Sequence, residues 1–444
     1  MIDRAEIDDA AERLGVTPAN VQRDYVHSWL LGELFGGSTL AGRMVLKGGS
    51  CLRKCYYEAA RFSPDLDLST ADRISDDELR AELQAAADRA GSASGVEFDL
   101  ARTDVRDKQV ADKQKQVAEV RVYFRDFYGK PGAVVLKVQV DVTQFDRIHL
   151  PVQERRLIHP YSDRDGCDYG VRCVKLEELL GTKMRCLLQR RHVADLFDLA
   201  YSTFINRDIE VDRGEVLHVF LRSTIFNASR GVAKGLFLDL PLEGMRRFWE
   251  RFIACPVQSL FPFDDALAAL RELVDALFPE SAIAARSDVL FPAAMRNPIL
   301  EAGDTQCLLR LRYKGIDRLV EPYSLKYKTR KDGAGREYFY GFDQTRDQTI
   351  KSFVPSNVDS VEVTDESFVP RFDIELAQAG GAETAGRFRW RRGRRVSRAI
   401  RGHEFEVECT WCHRRFKRRR HSSRLRPHKD SFGNPCHGRT GFRV

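Results

Sequence analysis

No apolar run in the sequence approaches the roughly 20 residues that a membrane helix needs. The start, MIDRAEIDDAAERLG, has neither the basic end nor the apolar middle of a secretion signal. These absences argue against a helical membrane protein and lead us to expect a cytoplasmic one with no membrane partner. There is no internal repeat. Nor is there a framework of paired cysteines. Of the 10 cysteines, seven are scattered singly or loosely and three cluster near the C-terminus with metal-ligand spacing, a pattern of reduced thiols plus one metal site.

What the sequence does hold is an ordinary globular composition, 43% hydrophobic and 31% charged over 444 residues, enough for about two to four domains. The net charge of +7 conceals an asymmetry. From Arg387 onward, 19 Lys and Arg stand against 4 Asp and Glu, so the preceding body is about −8. A dense basic segment behind an acidic body points to a polyanion, foremost a nucleic acid.

Along the chain, Thr17-Pro18 opens a helix with Val21, Tyr25 and Trp29 as its core stripe. Met44 to Lys47 reads as a buried strand entering Gly48-Gly49-Ser50, and CLRKCYYEAA as the following helix, with Ser50 as its cap. EVRVYFRDFYGKPGAVVLKVQVDVTQF predicts a hairpin whose second strand alternates Leu136, Val138, Val140 and Val142 with Lys137, Gln139 and Asp141. Residues to about 280 then read as helical. From 286 to 376 short alternating runs separated by Gly, Asp and Pro predict a small barrel or sandwich, and AQAGGAETAG a linker.

In SPDLDLS, Leu66 and Leu68 point one way along a strand while Asp65 and Asp67 project together from the other face. Two adjacent carboxylates repel unless a cation lies between them, an arrangement suited to magnesium or manganese carrying a nucleoside triphosphate. The glycine turn before it lets backbone amides approach phosphate oxygens. A solvated acidic edge and a structural turn are the alternatives.

The order Gly-Ser, then Asp-x-Asp, then a third strand carboxylate resembles the nucleotidyltransferase superfamily. RDYVHSWLLGEL, LKGGSCLRK, RFSPDLDL and LEELLGTKMRCLLQRRHVADLFDLA resemble one branch of it, the AbiEii/AbiGii toxin family, over about residues 10 to 280. The resemblance implies that Asp65, Asp67 and Asp141 hold magnesium, that Asp141 accepts a proton, and that Lys47, Gly48, Gly49, Ser50, Lys183 and Arg190 bind the nucleotide. It matches Asp195 and Asp198 to the aspartates of the family's Arg-Asp-x-x-Asp and makes Asp198 a candidate catalytic residue with Lys183. Ala194 stands where the family usually has arginine, which puts that arginine's contact in doubt. The implied reaction is transfer of a nucleoside monophosphate to an acceptor, a tRNA 3′ end in characterised relatives, in a type IV toxin–antitoxin or abortive-infection antiphage system. The implied partners are an NTP, RNA and a winged-helix antitoxin.

Farther on, LRYKGIDRLVEPYSLKYK with EYFYGFD and IKSFVPSNVDSVEVTD resembles a WYL domain, a small Sm-like β fold. At the end, Cys409-x2-Cys412, then His428, then Cys436 has the spacing of a structural tetrahedral zinc site, with His421 and His437 as alternative ligands. Around it Arg391, Arg392, Arg394, Arg395, Lys417, Arg418, Arg419 and Arg420 form a basic surface for nucleic acid.

The expected architecture is α+β: a nucleotidyltransferase-fold mixed sheet over 1–165, a helical domain over 166–285, a WYL-like β-barrel over 286–376, a linker over 377–386 and a metal-binding basic tail over 387–444. The competing reading is a catalytically inactive nucleic-acid sensor that uses the WYL-like and zinc-like modules.

Overall fold

The computed structural model describes residues 2–108, 116–128, 135–227, 229–279, 288–329, 335–345 and 347–376, and in the tail 405–409, 412, 414–418, 425, 427–429, 435–436 and 441–443. The chain forms two compact units, Met1–Thr384 and Ala385–Val444.

The first unit begins with α1 (Arg4–Leu14) and α2 (Pro18–Gly37). Thr17 is extended at the N-cap of α2 with Pro18 at the first helical position, and Val21, Tyr25 and Trp29 are buried as their spacing predicts. There follow β1 (Val45–Lys47), the short α3 (Gly48–Cys51), β2 (Asp65–Ser69) and α4 (Asp76–Ser94). Next come β3 (Asp104–Asp107), β4 (Gln116–Arg125), β5 (Val135–Gln144), β6 (Gln153–Arg156) and β7 (Gly170–Cys173).

These seven strands make one mixed sheet in the order β3-β4-β5-β2-β1-β7-β6. β2 runs parallel to β5 and β1 parallel to β7, while β4 and β5 are the antiparallel pair that their alternation predicts.

Ser50 is not a helix cap. The chain turns earlier, at Gly48, whose φ of 73° favours a residue without Cβ, so helix begins at Gly48 with Lys47 as its cap. The helix widens into a π-turn at Leu52–Tyr56, and the Ser50 hydroxyl donates to the Asp65 carbonyl instead.

Beyond the sheet lie α5 (Leu176–Arg190), α6 (Val193–Ala200), α7 (Arg213–Ser223), α8 (Arg230–Leu238), α9 (Trp249–Phe252) and α10 (Phe263–Leu277). Their apolar faces share one core with the seven-stranded sheet. A second core, from Phe291 to Leu376, lies between α11 (Ala293–Thr305) and β8 (Cys307–Tyr313), β9 (Ile316–Thr329), β10 (Gly335–Asp343), β11 (Thr349–Phe353) and β12 (Val358–Ser367). These strands form an open sheet in the order β11-β10-β9-β8-β12, not the expected closed barrel. β11 and β12 are its edges, and α11 packs on β8 and β12, covering the apolar face that a barrel would have turned inward.

In the second unit, β13 (Phe405–Cys409) pairs with β14 (Arg415–Arg418) and with β17 (Gly441–Arg443), and β15 (His428–Lys429) pairs with β16 (Pro435–Cys436). Among the described residues no helix is long and apolar enough to cross a membrane.

Candidate active site

Parallel pairing of β2 with β5 sets Asp67 opposite Asp141 and Asp65 opposite Gln139. Asp65 and Asp67 share a face because they are two apart on one strand. The same row continues outward, with Asp141 opposite Glu119 on β4 and Asp67 opposite Lys47 on β1. Three carboxylates on three adjacent strands, Glu119, Asp141 and Asp67, therefore stand side by side, with Asp65 next to them.

Such a row repels itself unless cations are supplied. Part of the supply comes from the protein. Lys108 donates to Asp141 Oδ2 at 2.6 Å while Gln139 donates to Oδ1 at 2.8 Å, and Arg121 donates to Glu119 at 2.6 Å. Asp141, expected on the polar face of its strand, is thus buried among partners. Burial pushes the Arg23 guanidinium on α2 below its usual range, and the negative charge of Asp65 partly offsets this.

The turn before β2 fits closely around the row. A Cβ on Gly48 would collide with Asp67 Oδ2, and one on Gly49 would meet Arg61 Nη2 at 2.6 Å and Ser63 Oγ at 3.0 Å. Ser63 in turn donates to Asp65 Oδ1 at 3.1 Å. Both glycines are favoured by proximity to the carboxylates and their partners, and Gly48 also by its positive φ. Lys47 pairs with Asp146, which also accepts from Ser69.

The expected helical residues gather in a buried ion network. Lys183 on α5 lies 3.0 Å from Asp195 and 2.9 Å from Asp198. Arg190 grips Asp195 through Nε at 2.7 Å and Nη2 at 2.9 Å. Arg61 grips Asp198 through Nε at 2.8 Å and Nη2 at 2.9 Å. Burial alone would raise the Asp195 carboxyl, but Arg190 and Lys183 outweigh it and hold that carboxyl well below the usual range. Arg61 carries that network to the edge of the Gly48–Ser50 turn, where a Cβ on Gly49 would meet its Nη2. Ala194 is buried in the core, and Arg190 takes the part of partner to Asp195.

Sequence reasoning missed Lys108, Glu119, Arg61 and Arg23. Of these, only Arg23 and Arg61 lay inside the motif blocks RDYVHSWLLGEL and RFSPDLDL.

Asp65, Asp67 and Asp141 offer the oxygen donors that a hard divalent cation takes, but among the described residues they are not a group whose ligand atoms all lie within 4.8 Å of one another. The tail fits a different metal. Cys409, Cys412, His428 and Cys436 bring their ligand atoms within 4.8 Å of one another. The Cys409 and Cys436 sulfurs are 3.8 Å apart and Cys412 Sγ lies 3.3 Å from His428 Nε2. Around tetrahedral zinc with bonds of about 2.3 Å, two thiolates stand about 3.8 Å apart. Of the basic tail residues, Arg391, Arg392, Arg394, Arg395, Arg419 and Arg420 lie outside the described residues, as do the side chains of Lys417 and Arg418.

Among solved structures, MenT4, a nucleotidyltransferase toxin from Mycobacterium tuberculosis H37Rv, is similar at 18% identity, over 64% of this chain and 91% of that one, with a TM-score of 0.39. No curated protein matches the chain. Residues 29–303 match the family described as "Nucleotidyl transferase AbiEii toxin, Type IV TA system". That span is shifted toward the C-terminus from the 10 to 280 expected from the motif blocks. It is more than half of the chain, and it contains the whole carboxylate row and the α5–α6 ion network: the chain belongs to the AbiEii nucleotidyltransferase toxins and is a nucleotidyltransferase.

Proposed function

We propose that this enzyme transfers a nucleoside monophosphate from an NTP to a hydroxyl of RNA, foremost a tRNA 3′ end, and that the modification blocks translation. The observation that carries this reading is the register match of Asp67 with Asp141 on parallel neighbours, with Asp65 on the same face. Asp65, Asp67 and Asp141 would hold magnesium or manganese, which when bound neutralises phosphate charge.

The chain's own groups have separate tasks. The Gly48–Ser50 turn and Lys47 position the triphosphate, and Arg61 at the edge of that turn, held by the network of Lys183 and Arg190, adds a charged donor toward the phosphates. Lys183 and Arg190 act through Asp195 and Asp198, so Asp198 is a positioning residue for Arg61. The acceptor hydroxyl forms the new bond to the α-phosphorus, the bond from that phosphorus to the bridging oxygen breaks, and pyrophosphate leaves with the electron pair. Asp141 accepts the hydroxyl proton.

The Cys409, Cys412, His428 and Cys436 cluster would hold structural zinc and fold the basic tail, including Lys417 and Arg418, as an RNA-recruiting arm. A winged-helix antitoxin encoded nearby is the expected inhibitor, and the system would serve antiphage defence. The β8–β12 sheet, WYL-like in its sequence, is assigned no step.

The test is incubation of the full chain with total tRNA and each labelled NTP in turn. Label should enter tRNA from one NTP and be absent with Asp65→Ala and Asp67→Ala. Intact transfer by both variants removes the site. Tight RNA retention without transfer from any NTP favours the sensor reading.

A further inference from the structure

On the other side of the Gly48–Ser50 turn from the carboxylates lies a cluster that the reaction does not use. Cys51 closes α3, Cys55 sits in the π-turn four residues later on the same helical face, and Cys173 ends β7. Parallel pairing of Leu46 with Cys173 brings the third cysteine beneath the helix. The three sulfur atoms lie within 4.8 Å of one another, and all three residues are buried. Cys167 and Cys255 are also buried but belong to no such group among the described residues.

Buried single cysteines serve as small apolar side chains. Three sulfurs converging from a helix and a strand form a donor set. Three thiolates around a metal with bonds of about 2.3 Å stand about 3.8 to 4.0 Å apart, within the limit seen here, and soft sulfur ligands select zinc-class cations over magnesium. Charge also fits. A divalent ion with three thiolates carries −1, and Arg155 is at hand with the compensating charge. Its Nε donates to the Cys55 carbonyl at 2.7 Å and its guanidinium lies 4.4 Å over the Tyr56 ring. Tyr56, next to Cys55 in the chain, lines with Gln153 and Arg155 a cavity of about 1120 Å³.

We propose that Cys51, Cys55 and Cys173 form a three-thiolate site for a zinc-class divalent cation, which clamps the Gly48–Ser50 turn to β7 and so to the start of α5. On binding, those sulfurs that still carry a proton lose it to solvent and three sulfur–metal bonds form. The site is independent of the reaction proposed above.

The test uses the full chain with Cys409→Ser and Cys412→Ser, so that the tail cannot compete, stripped by a chelator and titrated with cadmium. The expected result is one equivalent bound, an ultraviolet thiolate-to-cadmium band of three-thiolate intensity, release of protons on binding, and slowed hydrogen exchange at the amides of residues 48–52. Cys173→Ala and, separately, Cys55→Ala in that background should each reduce stoichiometric binding at least 10-fold, on the order of the loss seen when a metal site loses a supporting group. Absence of cadmium binding by the folded tail variant overturns the proposal, whatever the cysteine variants do. So does binding that neither alanine variant weakens.

Discussion

The seven-stranded and five-stranded sheets both bury carboxylates, and they treat them in opposite ways. In the five-stranded sheet each buried acid has basic or donor partners and faces no other acid across the strands. Glu337 accepts from Arg296 and from the Phe291 amide, both at 3.0 Å. Asp343 pairs with Arg318, and Glu321 accepts from Gln344 at 2.7 Å, Arg371 at 3.1 Å and Tyr323. Their register partners are Tyr327, Val320 and Phe342. In the seven-stranded sheet Glu119, Asp141 and Asp67 are register partners of one another. Acids that face no other acid hold a fold together through their own partners, whereas acids set in a row across strands concentrate negative charge that the cations of a substrate complex can meet.

The largest expected effect breaks the first side of this comparison. Asp65→Ala and Asp67→Ala should each lower label transfer by more than about 100-fold. Measured transfer within a few fold of normal would reduce the row to a structural edge.

The second breaks the other sheet. Glu337→Gln leaves the Arg296 guanidinium buried without its counter-charge, and should cost about 3 to 5 kcal/mol in urea unfolding, with transfer per folded molecule unchanged.

A third concerns pH. Burial, followed by the nearby Lys54 charge, pushes the His27 imidazole down to about 3. The unfolded chain therefore binds this proton at about pH 6.5 while the folded chain refuses it until about pH 3, so stability falls as pH drops through that window. His27→Gln should flatten that part of the profile in denaturation series. Asp195 acts lower: its depressed carboxyl contributes stability present above the unfolded value of about 3.9 and lost as pH falls below it.

The smallest effect sharpens the comparison. Lys108→Met removes the cation from Asp141 Oδ2 and should shift the magnesium concentration for half-maximal transfer downward by a few fold, on the scale of one partly buried charge pair. Loss of transfer would instead make Lys108 part of the substrate machinery.

Much of this site was legible because it follows chain-local rules. Alternation put Asp65 with Asp67 and placed Asp141 on a strand, and the glycine turn announced itself. What was not legible depends on partners far along the chain. Lys108 reaches Asp141 across 33 residues, Arg61 reaches Asp198 across 137, and Ser50 prefers the Asp65 carbonyl to a cap. Cys173 looks isolated until strand pairing sets it beside Cys51 and Cys55. The open sheet from β8 to β12 escaped for a similar reason. Alternating runs specify strands, but whether their edges close depends on what covers the apolar face, here α11.

The most direct test of the central claim, that Asp67 and Asp141 act as one unit across β2 and β5, is a cycle of Asp67→Ala, Asp141→Ala and the double variant, read as label transfer to tRNA. The account predicts that each single variant abolishes most transfer and that the double variant is hardly worse than either, because both remove the same site. Losses that multiply, or a single variant that keeps its transfer, would contradict it.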